Sequence, residues 1–154
     1  MKLSTRSRYG TRLMLEMAQN YEQGAVQLGV IAKRQNIPVK YLEQIIIPLK
    51  NANYVKSTRG KKGGHMLAKP PAEITVAEIV SLLEGGFKLT DCTESPEVCE
   101  RSADCSTRLL WKEATEAMVE KLRATTLADL LERGGLKDGT PCTAPKRSNS
   151  DSGR

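Results

Sequence analysis

Residues 28–67 read LGVIAKRQNIPVKYLEQIIIPLKNANYVKSTRGKKGGHML and begin with two short helical patterns. The first pattern ends at the break Asn36-Ile37-Pro38, and the second begins near Val39 with apolar residues at helical spacing. Pro48 lies inside the second pattern and lacks a backbone N–H, so we expect the last turn, 49–51, to be distorted there. Two short helices joined by a turn of this length predict a helix-turn-helix.

A β-hairpin is predicted directly after these helices. Residues 54–59 alternate in polarity and contain β-forming side chains, and the glycine-rich segment 60–64 is typical of a turn. Residues 65–67 return as a second strand, which Pro70-Pro71 stops. A hairpin with a basic tip that follows a helix-turn-helix is the wing of a winged helix, and the order of the elements favours this fold more strongly than either element alone.

Further helices flank this unit. Residues 9–21 have a helical pattern, and Thr75 with Glu78 forms a capping box that opens another helix. Ser106 is expected to cap a long helix that reaches about Thr125. The predicted fold class is therefore mainly α with a small β-hairpin wing: a winged helix-turn-helix followed by a long helix.

This pattern divides the chain into four segments. Residues 1–84 are predicted to form the winged helix-turn-helix, and residues 85–105, which have no convincing period, a loop. The long helix and a short helix opened by Thr126 and Asp129 occupy 106–133. Residues 134–154 consist mostly of Gly, Pro, Ser and charged residues, which predicts a disordered tail.

Charge separates the two halves of the chain. Residues 1–70 contain 13 Lys and Arg against 3 Asp and Glu, a net charge of +10, whereas residues 71–154 contain 11 against 15, a net charge of −4. A strongly basic first half favours a phosphate-rich partner such as nucleic acid, although a solvated basic face is the alternative. The chain is 154 residues long with 39% hydrophobic and 27% charged residues, so it can form a packed core.

Several classes of protein are disfavoured. The longest aliphatic run, Ile45-Ile46-Ile47, is far shorter than the roughly 20 apolar residues of a membrane span, and the N-terminal residues show no secretory signal. We therefore expect a cytoplasmic protein without a membrane partner. The chain has one histidine, His65, and no Ser/His/Asp order, which argues against an enzyme with a small-molecule substrate.

Three cysteines are concentrated in the predicted loop. Cys92, Cys99 and Cys105 are separated by wider gaps than the usual two to four residues of zinc knuckles, and no histidine is nearby. Iron–sulfur ligation requires soft thiolates on a pliable loop, which this segment provides. The acidic neighbours argue against inert buried cysteines, so a metal or cluster site and a thiol switch stay open. Cys142 lies in the tail and is interpreted as a free thiol.

Taken together, these residues resemble a known family, the IscR-type iron–sulfur cluster regulators of bacteria, which also includes NsrR and RirA. The resemblance extends from Met1 to about Leu131. It rests on Met1-Lys2-Leu3-Ser4, Arg8-Tyr9-Gly10, Tyr41-Leu42-Glu43-Gln44, the segment 55–60 with Gly63-Gly64, the three loop cysteines, Leu110-Trp111 and the segment 126–130.

The resemblance implies a homodimeric transcription factor, a repressor or activator, in which the long helix dimerises. Cys92, Cys99 and Cys105 match the cysteines that hold a [2Fe–2S] cluster in the most similar members, or a [4Fe–4S] cluster in some relatives. The implied targets are genes for iron–sulfur cluster assembly. A zinc- or thiol-responsive repressor without a cluster is the alternative.

The fourth ligand departs from the family pattern. Enterobacterial IscR proteins use a histidine three residues after the last cysteine, where this chain has Arg108, which cannot ligate iron. NsrR-like proteins use an aspartate near the N-terminus, and the matching position here is Arg8. The remaining candidates are Glu94, Glu97, Glu100, Asp104, His65 and Cys142.

The predicted partner is an operator in double-stranded DNA. The helix that begins near Val39 should enter the major groove, with Lys40 and Tyr41 near bases or backbone, and Arg59, Lys61 and Lys62 on the wing suit phosphates or the minor groove. Glu43 repels phosphate but can accept a hydrogen bond from cytosine. The resemblance implies that this glutamate separates two modes of site recognition, one of them restricted to the cluster-bound form.

Overall fold

The computed structural model describes residues 3–134, which form six α-helices and one two-stranded sheet. The helices are α1 (Thr5–Gln19), α2 (Leu28–Gln35), α3 (Val39–Asn51), α4 (Val76–Glu84), α5 (Ser106–Arg123) and α6 (Leu127–Arg133). The strands are β1 (Val55–Thr58) and β2 (Gly64–Leu67), and single 3-10 turns occupy Pro71–Glu73, Asp91–Thr93 and Pro96–Val98. The predicted fold class is confirmed. The predicted tail and Cys142 lie outside the described residues, apart from Gly134.

One hydrophobic core joins the helices of the winged domain and the C-terminal helix α6. Helix α1 runs through its centre and packs against α3, α4 and α6. The fully buried side chains come from all of these elements and include Leu13, Met14, Met17, Leu42, Ile45, Leu49, Ile79 and Leu127. The apolar stripe predicted for the second helical pattern, Leu42, Ile45, Ile46 and Leu49, is buried as expected. This packing fixes α3 on the scaffold with its opposite face free.

Helix α1 begins earlier than the apolar pattern indicates. The Ser4 hydroxyl accepts a hydrogen bond from the backbone N–H of Ser7 at 3.1 Å and so caps the helix, which starts at Thr5 rather than at residue 9. The residues of the first turn are largely exposed and form no apolar stripe. Only the capping residue Ser4 therefore marks the start of the helix. The helix ends at Gln19, two residues before the predicted end.

The turn and the second helix of the helix-turn-helix follow the sequence with one correction. Asn36 adopts a left-handed conformation (φ 52°) that ends α2, and Pro38 precedes α3. The last turn, 49–51, where we expected a distortion, remains helical, and α3 continues past Pro48 to Asn51. Proline removes only its own bond to the carbonyl of Gln44, a residue exposed to solvent, and the N–H of Ala52 still reaches the Pro48 carbonyl at 3.0 Å.

The wing, residues 55–67, is held to the body by a third chain segment. Strands β1 and β2 pair antiparallel with Val55 opposite Leu67 and Thr58 opposite Gly64. Val26, in the loop between α1 and α2, exchanges two backbone hydrogen bonds of 2.8 Å with His65. A Cβ atom on Gly64 would lie 2.6 Å from the Val26 carbonyl oxygen, so only glycine permits this approach.

We expect Gly64→Ala to separate the wing from the Val26 segment and to lower the free energy of unfolding by about 1–3 kcal/mol, because a methyl group is forced against fixed backbone. Gly29→Ala is the matched control, since a Cβ atom there meets nothing within 4 Å and alanine favours the helical conformation of α2. Urea denaturation of both variants tests the prediction, and equal stability of the two would contradict it.

Two capping boxes define the connection between the winged domain and the C-terminal helices. Thr75 and Glu78 cap α4, and Thr126 and Asp129 cap α6, as the sequence predicts. An antiparallel bridge joins Thr75 to Thr126 and places the two helix starts side by side. The predicted cap of α5 is wrong by one residue: Ser106 is already helical and Cys105 is the N-cap.

Helix α5 has no buried residue, although it carries large apolar side chains. Leu109 is 59% exposed, and Leu110 and Trp111 are also exposed. Between residues 3 and 134, no helix is long and apolar enough to cross a membrane.

Candidate nucleic-acid interface and cysteine loop

Helix α3 presents its polar side away from the core. Lys40, Glu43 and Gln44 are exposed on α3, whereas Tyr41 is half-buried. The sequence-predicted residues Lys40 and Glu43 therefore lie free on the helix that a winged helix places in the major groove.

Tyr41 is positioned by helix α1. Its ring meets that of Tyr9 edge to face, with ring centroids 5.6 Å apart and an interplanar angle of 87°. This geometry is favourable for aromatic pairs and fixes one side of the Tyr41 ring. Arg6 joins Tyr41, Gln44 and Ile45 around a cleft of about 210 Å³ at the same edge of α3. Sequence reasoning missed Arg6, because its proximity to α3 arises from tertiary packing.

A partly buried polar network fixes the end of α2 against α1. Arg12 Nε donates to Gln35 Oε1 at 2.7 Å, and Arg12 Nη2 donates to the Gln35 carbonyl at 2.8 Å. Gln35 Nε2 in turn donates to the buried carboxylate of Glu16 at 2.6 Å, which Arg34 also contacts at 3.3 Å. Because Gln35 immediately precedes the turn into α3, this network sets where the turn begins. Sequence analysis did not single out these residues.

The tip of the wing is basic and exposed. Arg59, Lys61 and Lys62 are all solvent-exposed. The turn between them is closed by Gly60 (φ 108°), whose carbonyl accepts a hydrogen bond from the backbone N–H of Gly63. None of the ion pairs found within residues 3–134 involves these three side chains. Their charges are thus available to phosphate groups.

The base of the wing is joined to α4 by a partly buried hydrogen bond. Tyr54 Oη donates to Glu78 Oε1 at 3.1 Å, and burial together with this carboxylate raises the pKa of Tyr54. Burial opposes ionisation of Glu78, but bonds from Thr75 and Tyr54 and the charge of Lys69 outweigh it and lower the pKa of Glu78. Glu78 therefore serves the capping box and the wing together.

His65 belongs to the wing. Its Nδ1 lies 3.0 Å from Ser57 Oγ, and its backbone is held by Val26. Burial and the nearby Lys50 lower the pKa of His65, so the ring favours its neutral form. His65 was a candidate fourth ligand, but its ring and backbone contact residues of the wing and of the Val26 segment rather than the cysteine loop.

The three loop cysteines occupy distinct local structures. Cys92 lies in the 3-10 turn Asp91–Thr93, Cys99 follows the turn Pro96–Val98, and Cys105 caps α5. Each thiol-bearing residue is half-buried and unbridged. Cys92 Sγ lies 3.4 Å from Thr90 Oγ1. All three therefore remain open to ligands or oxidants.

Cys105 has the most polar surroundings of the three. Its Sγ lies 3.2 Å from the hydroxyl of Thr107, in the first turn of α5. The hydrogen bond from Thr107, followed by the N–H of Arg108 and the charge of Arg101, lowers the pKa of Cys105.

Arg108 closes the cysteine loop. Its Nε donates to the Cys92 carbonyl at 2.6 Å and so connects the first cysteine to the helix that follows the third. Arg108, which stands where the family has a histidine ligand, thus forms a structural hydrogen bond. Its position in the sequence did not indicate this contact.

The three thiols are the type of ligand that an iron–sulfur cluster requires, but their side chains do not converge on a common site. Within the described part of the chain, no three His, Cys, Asp or Glu side chains are grouped closely enough to hold a metal ion. Glu94, Glu97, Glu100 and Asp104 are exposed on the loop, so no carboxylate is fixed as a fourth ligand. Three soft donors on a loop of short turns suit cluster iron, whereas hard cations prefer oxygen ligands.

Comparison with known proteins gives one consistent result. Residues 3–133 match the family described as Rrf2, an iron-dependent transcriptional regulator. The protein rrf2 of Nitratidesulfovibrio vulgaris is 44% identical over 142 residues, which cover 92% of this chain and 95% of that protein. The structure of CymR, the global cysteine regulator of Bacillus subtilis, is 38% identical with a TM-score of 0.75, covering 86% of this chain and 98% of CymR. The structure of IscR from T. potens is 36% identical with a TM-score of 0.73, and the match covers 87% of this chain and 88% of that IscR chain.

Proposed function

The chain belongs to the Rrf2 family of DNA-binding transcriptional regulators, and we propose that an iron–sulfur cluster on its three-cysteine loop controls which DNA sites it binds. The observation that carries this proposal is the position of Cys92, Cys99 and Cys105 on one loop that leads directly into α5. When bound, a cluster supplies iron that is sensitive to redox state and to small ligands. The similarity to IscR of T. potens supports the same assignment.

The DNA interface in this proposal comprises α3 and the wing. Lys40, Tyr41 and Glu43 would face the major groove, while Arg59, Lys61 and Lys62 would contact phosphates or the minor groove. The exposure of the five charged residues and the fixed orientation of Tyr41 support these roles. The protein would act in the cytoplasm as a repressor or activator, and its targets would include genes for iron–sulfur cluster assembly.

A homodimer is part of the proposal. The exposed Leu109, Leu110 and Trp111 on α5 leave an apolar surface that a second copy of the helix would cover. A dimer would present two copies of α3 to two half-sites of an operator. The loop joins α5 at Cys105. The gain or loss of a cluster at the cysteines would therefore affect the N-terminal end of the dimerisation helix.

The thiol-responsive alternative also has a specific observation in its favour. The pKa of Cys105 is lowered and its residue is partly exposed, which are the features of a reactive thiol. CymR, to which the chain is similar, is a regulator of cysteine. A zinc- or thiol-responsive repressor without a cluster is therefore the second candidate.

Anaerobic purification followed by absorption spectroscopy and iron and sulfide assays tests the two candidates. A coloured protein with equal amounts of iron and acid-labile sulfide is the expected result. One zinc per chain without sulfide, or a colourless protein after anaerobic reconstitution, would establish the alternative and leave the DNA-binding function intact.

Replacing Glu43 is expected to alter the link between the cluster and site choice. In Glu43→Ala, the cluster-free protein should bind the second class of DNA site that otherwise requires the cluster, because the exposed carboxylate no longer disfavours it. Sites selected separately with cluster-free and cluster-bound wild type provide the two probes, and Glu22→Ala, an exposed change outside α3, is the control. Failure of cluster-free Glu43→Ala to bind the second class would refute this role.

A further inference from the structure

Ile47 is a large apolar side chain in the middle of the exposed surface of α3. It is 57% exposed, although the other isoleucines of this helix, Ile45 and Ile46, are buried. Since successive residues of a helix are rotated by about 100°, Ile47 projects opposite to the buried positions Leu42 and Leu49. Ile47 is therefore not an edge residue of the core.

The residues around Ile47 are polar. Gln44, Glu43 and Lys40 precede Ile47 by three, four and seven residues and lie on the same face of the helix. Lys50 and Asn51 follow it by three and four residues, and all five side chains are exposed. Nothing within residues 3–134 covers the Ile47 side chain sufficiently to bury it. A partner that meets this face must match cationic and hydrogen-bonding groups and also supply one small apolar feature at its centre.

Duplex DNA has this combination of features. Its phosphates match Lys40 and Lys50, and its base edges in the major groove offer hydrogen bonds to residues such as Gln44. The C5-methyl group of thymine is the one apolar feature that this groove presents. A broad apolar protein surface would instead place three charged side chains, Lys40, Glu43 and Lys50, in an unfavourable environment.

We propose that Ile47 contacts a thymine methyl group in the major groove and thereby determines the base at one position of each half-site. This inference rests on the proposed use of α3 as the DNA-contacting helix. It adds apolar recognition to the polar contacts assigned to Lys40, Tyr41 and Glu43. It does not depend on the cluster, so cluster-free protein can be used throughout its test.

Uracil substitution isolates the methyl group. An operator is first selected from a random duplex library with the wild-type protein, and each thymine is then replaced singly by uracil, which removes only the C5-methyl group. Wild type should lose about four- to fivefold in affinity at one position per half-site, the value of one buried methyl-sized contact. In Ile47→Ala, thymine and uracil at that position should bind equally.

Val30→Ala is the matched control, because Val30 is an apolar residue of α2 that is also partly exposed, at 41%. It should retain the wild-type preference for thymine. Thermal melts of both variants should match wild type, since neither side chain is buried. A wild-type protein insensitive to uracil at every position, or an Ile47→Ala variant that still discriminates, would overturn the assignment.

Two further outcomes separate this inference from the proposed interface. If Ile47→Ala changes the molecular mass in solution but not the response to uracil, Ile47 contacts protein rather than DNA and the assignment fails. If substitutions at Lys40 and at the wing lysines also leave DNA binding unchanged, the failure lies with the proposed interface itself.

Discussion

Cys99→Ala is expected to abolish the iron and sulfide content of the anaerobically purified protein and the absorption that accompanies it. Cys99 is the middle of three thiols on one loop, and the neighbouring carboxylates Glu97 and Glu100 are exposed and not fixed toward it. The loop therefore contains no replacement soft ligand, and two thiolates are too few to retain a cluster. Iron and sulfide assays on matched preparations measure the loss directly.

Controls for this variant come from the same chain. Ser102→Ala changes a small polar residue of the loop without removing a thiol and should retain the cluster. Cys142→Ala removes the fourth cysteine, which lies beyond the described residues, and retention of the cluster in that variant would exclude it as a ligand. Full iron and sulfide in Cys99→Ala would contradict the three-cysteine assignment.

The loss of the cluster should also change DNA-site selection without preventing folding. The 85–105 segment contributes no residue to the buried core, so Cys99→Ala should unfold at the same denaturant concentration as the cluster-free wild type. A variant that unfolds much earlier would show that the loop stabilises the winged domain, and the effects on DNA could then not be assigned to the cluster.

Local sequence signals were sufficient for most elements of the fold. The pairs Thr75–Glu78 and Thr126–Asp129 marked two helix starts because a capping box satisfies backbone groups within four residues and needs no distant partner. The glycines of the wing marked its turn for a similar local reason. Helix α1 was placed too late, since Ser4 rather than an apolar residue defines its beginning.

The contacts that position the candidate site could not be predicted in this way. The Arg12–Gln35 bonds join residues 23 positions apart, and the Arg108–Cys92 bond joins residues 16 positions apart. These pairs form only after helices pack, so no spacing rule identifies them. Arg108 was notable in the sequence as an absent ligand, whereas the structure gives it a role in closing the loop.

A series of direct contacts connects the start of the cysteine loop with α3. Glu84, the last residue of α4, accepts a hydrogen bond from the backbone N–H of Ser4 at 2.8 Å. Ser4 caps α1, whose Tyr9 packs against Tyr41 of α3. Hydrogen bonds from Ser7 and Ser4 lower the pKa of Glu84, although its burial opposes this. The loop therefore begins at a residue that is tied to the DNA-binding scaffold.

The DNA affinity of the wild-type protein is expected to fall steeply with salt, by about 1,000-fold or more between about 50 and 200 mM for six or more phosphate contacts. The basic residues that supply these contacts are exposed on α3 and at the tip of the wing and are free of the ion pairs found in the described region. Each contact releases condensed counterions, so the logarithm of the association constant should decrease linearly with the logarithm of the salt concentration.

Replacing Lys61 and Lys62 together with alanine should make this dependence shallower. If a dimer places both wings on phosphates, four contacts are lost and the slope should decrease in magnitude by about 3 to 4. The control is Lys112→Ala with Lys121→Ala, which removes the same charge from exposed positions of α5, where the one ion pair, Lys112 with Glu116, is at the surface and contributes little. Because α5 is the proposed dimerisation helix, the slopes are compared only after the molecular mass in solution shows that both double variants have the oligomeric state of the wild type. Because the two double variants have equal net charge, a difference in slope reports phosphate contact and not the overall field of the protein. Equal slopes for both would place the wing tips away from the DNA backbone and would leave α3 as the main source of affinity.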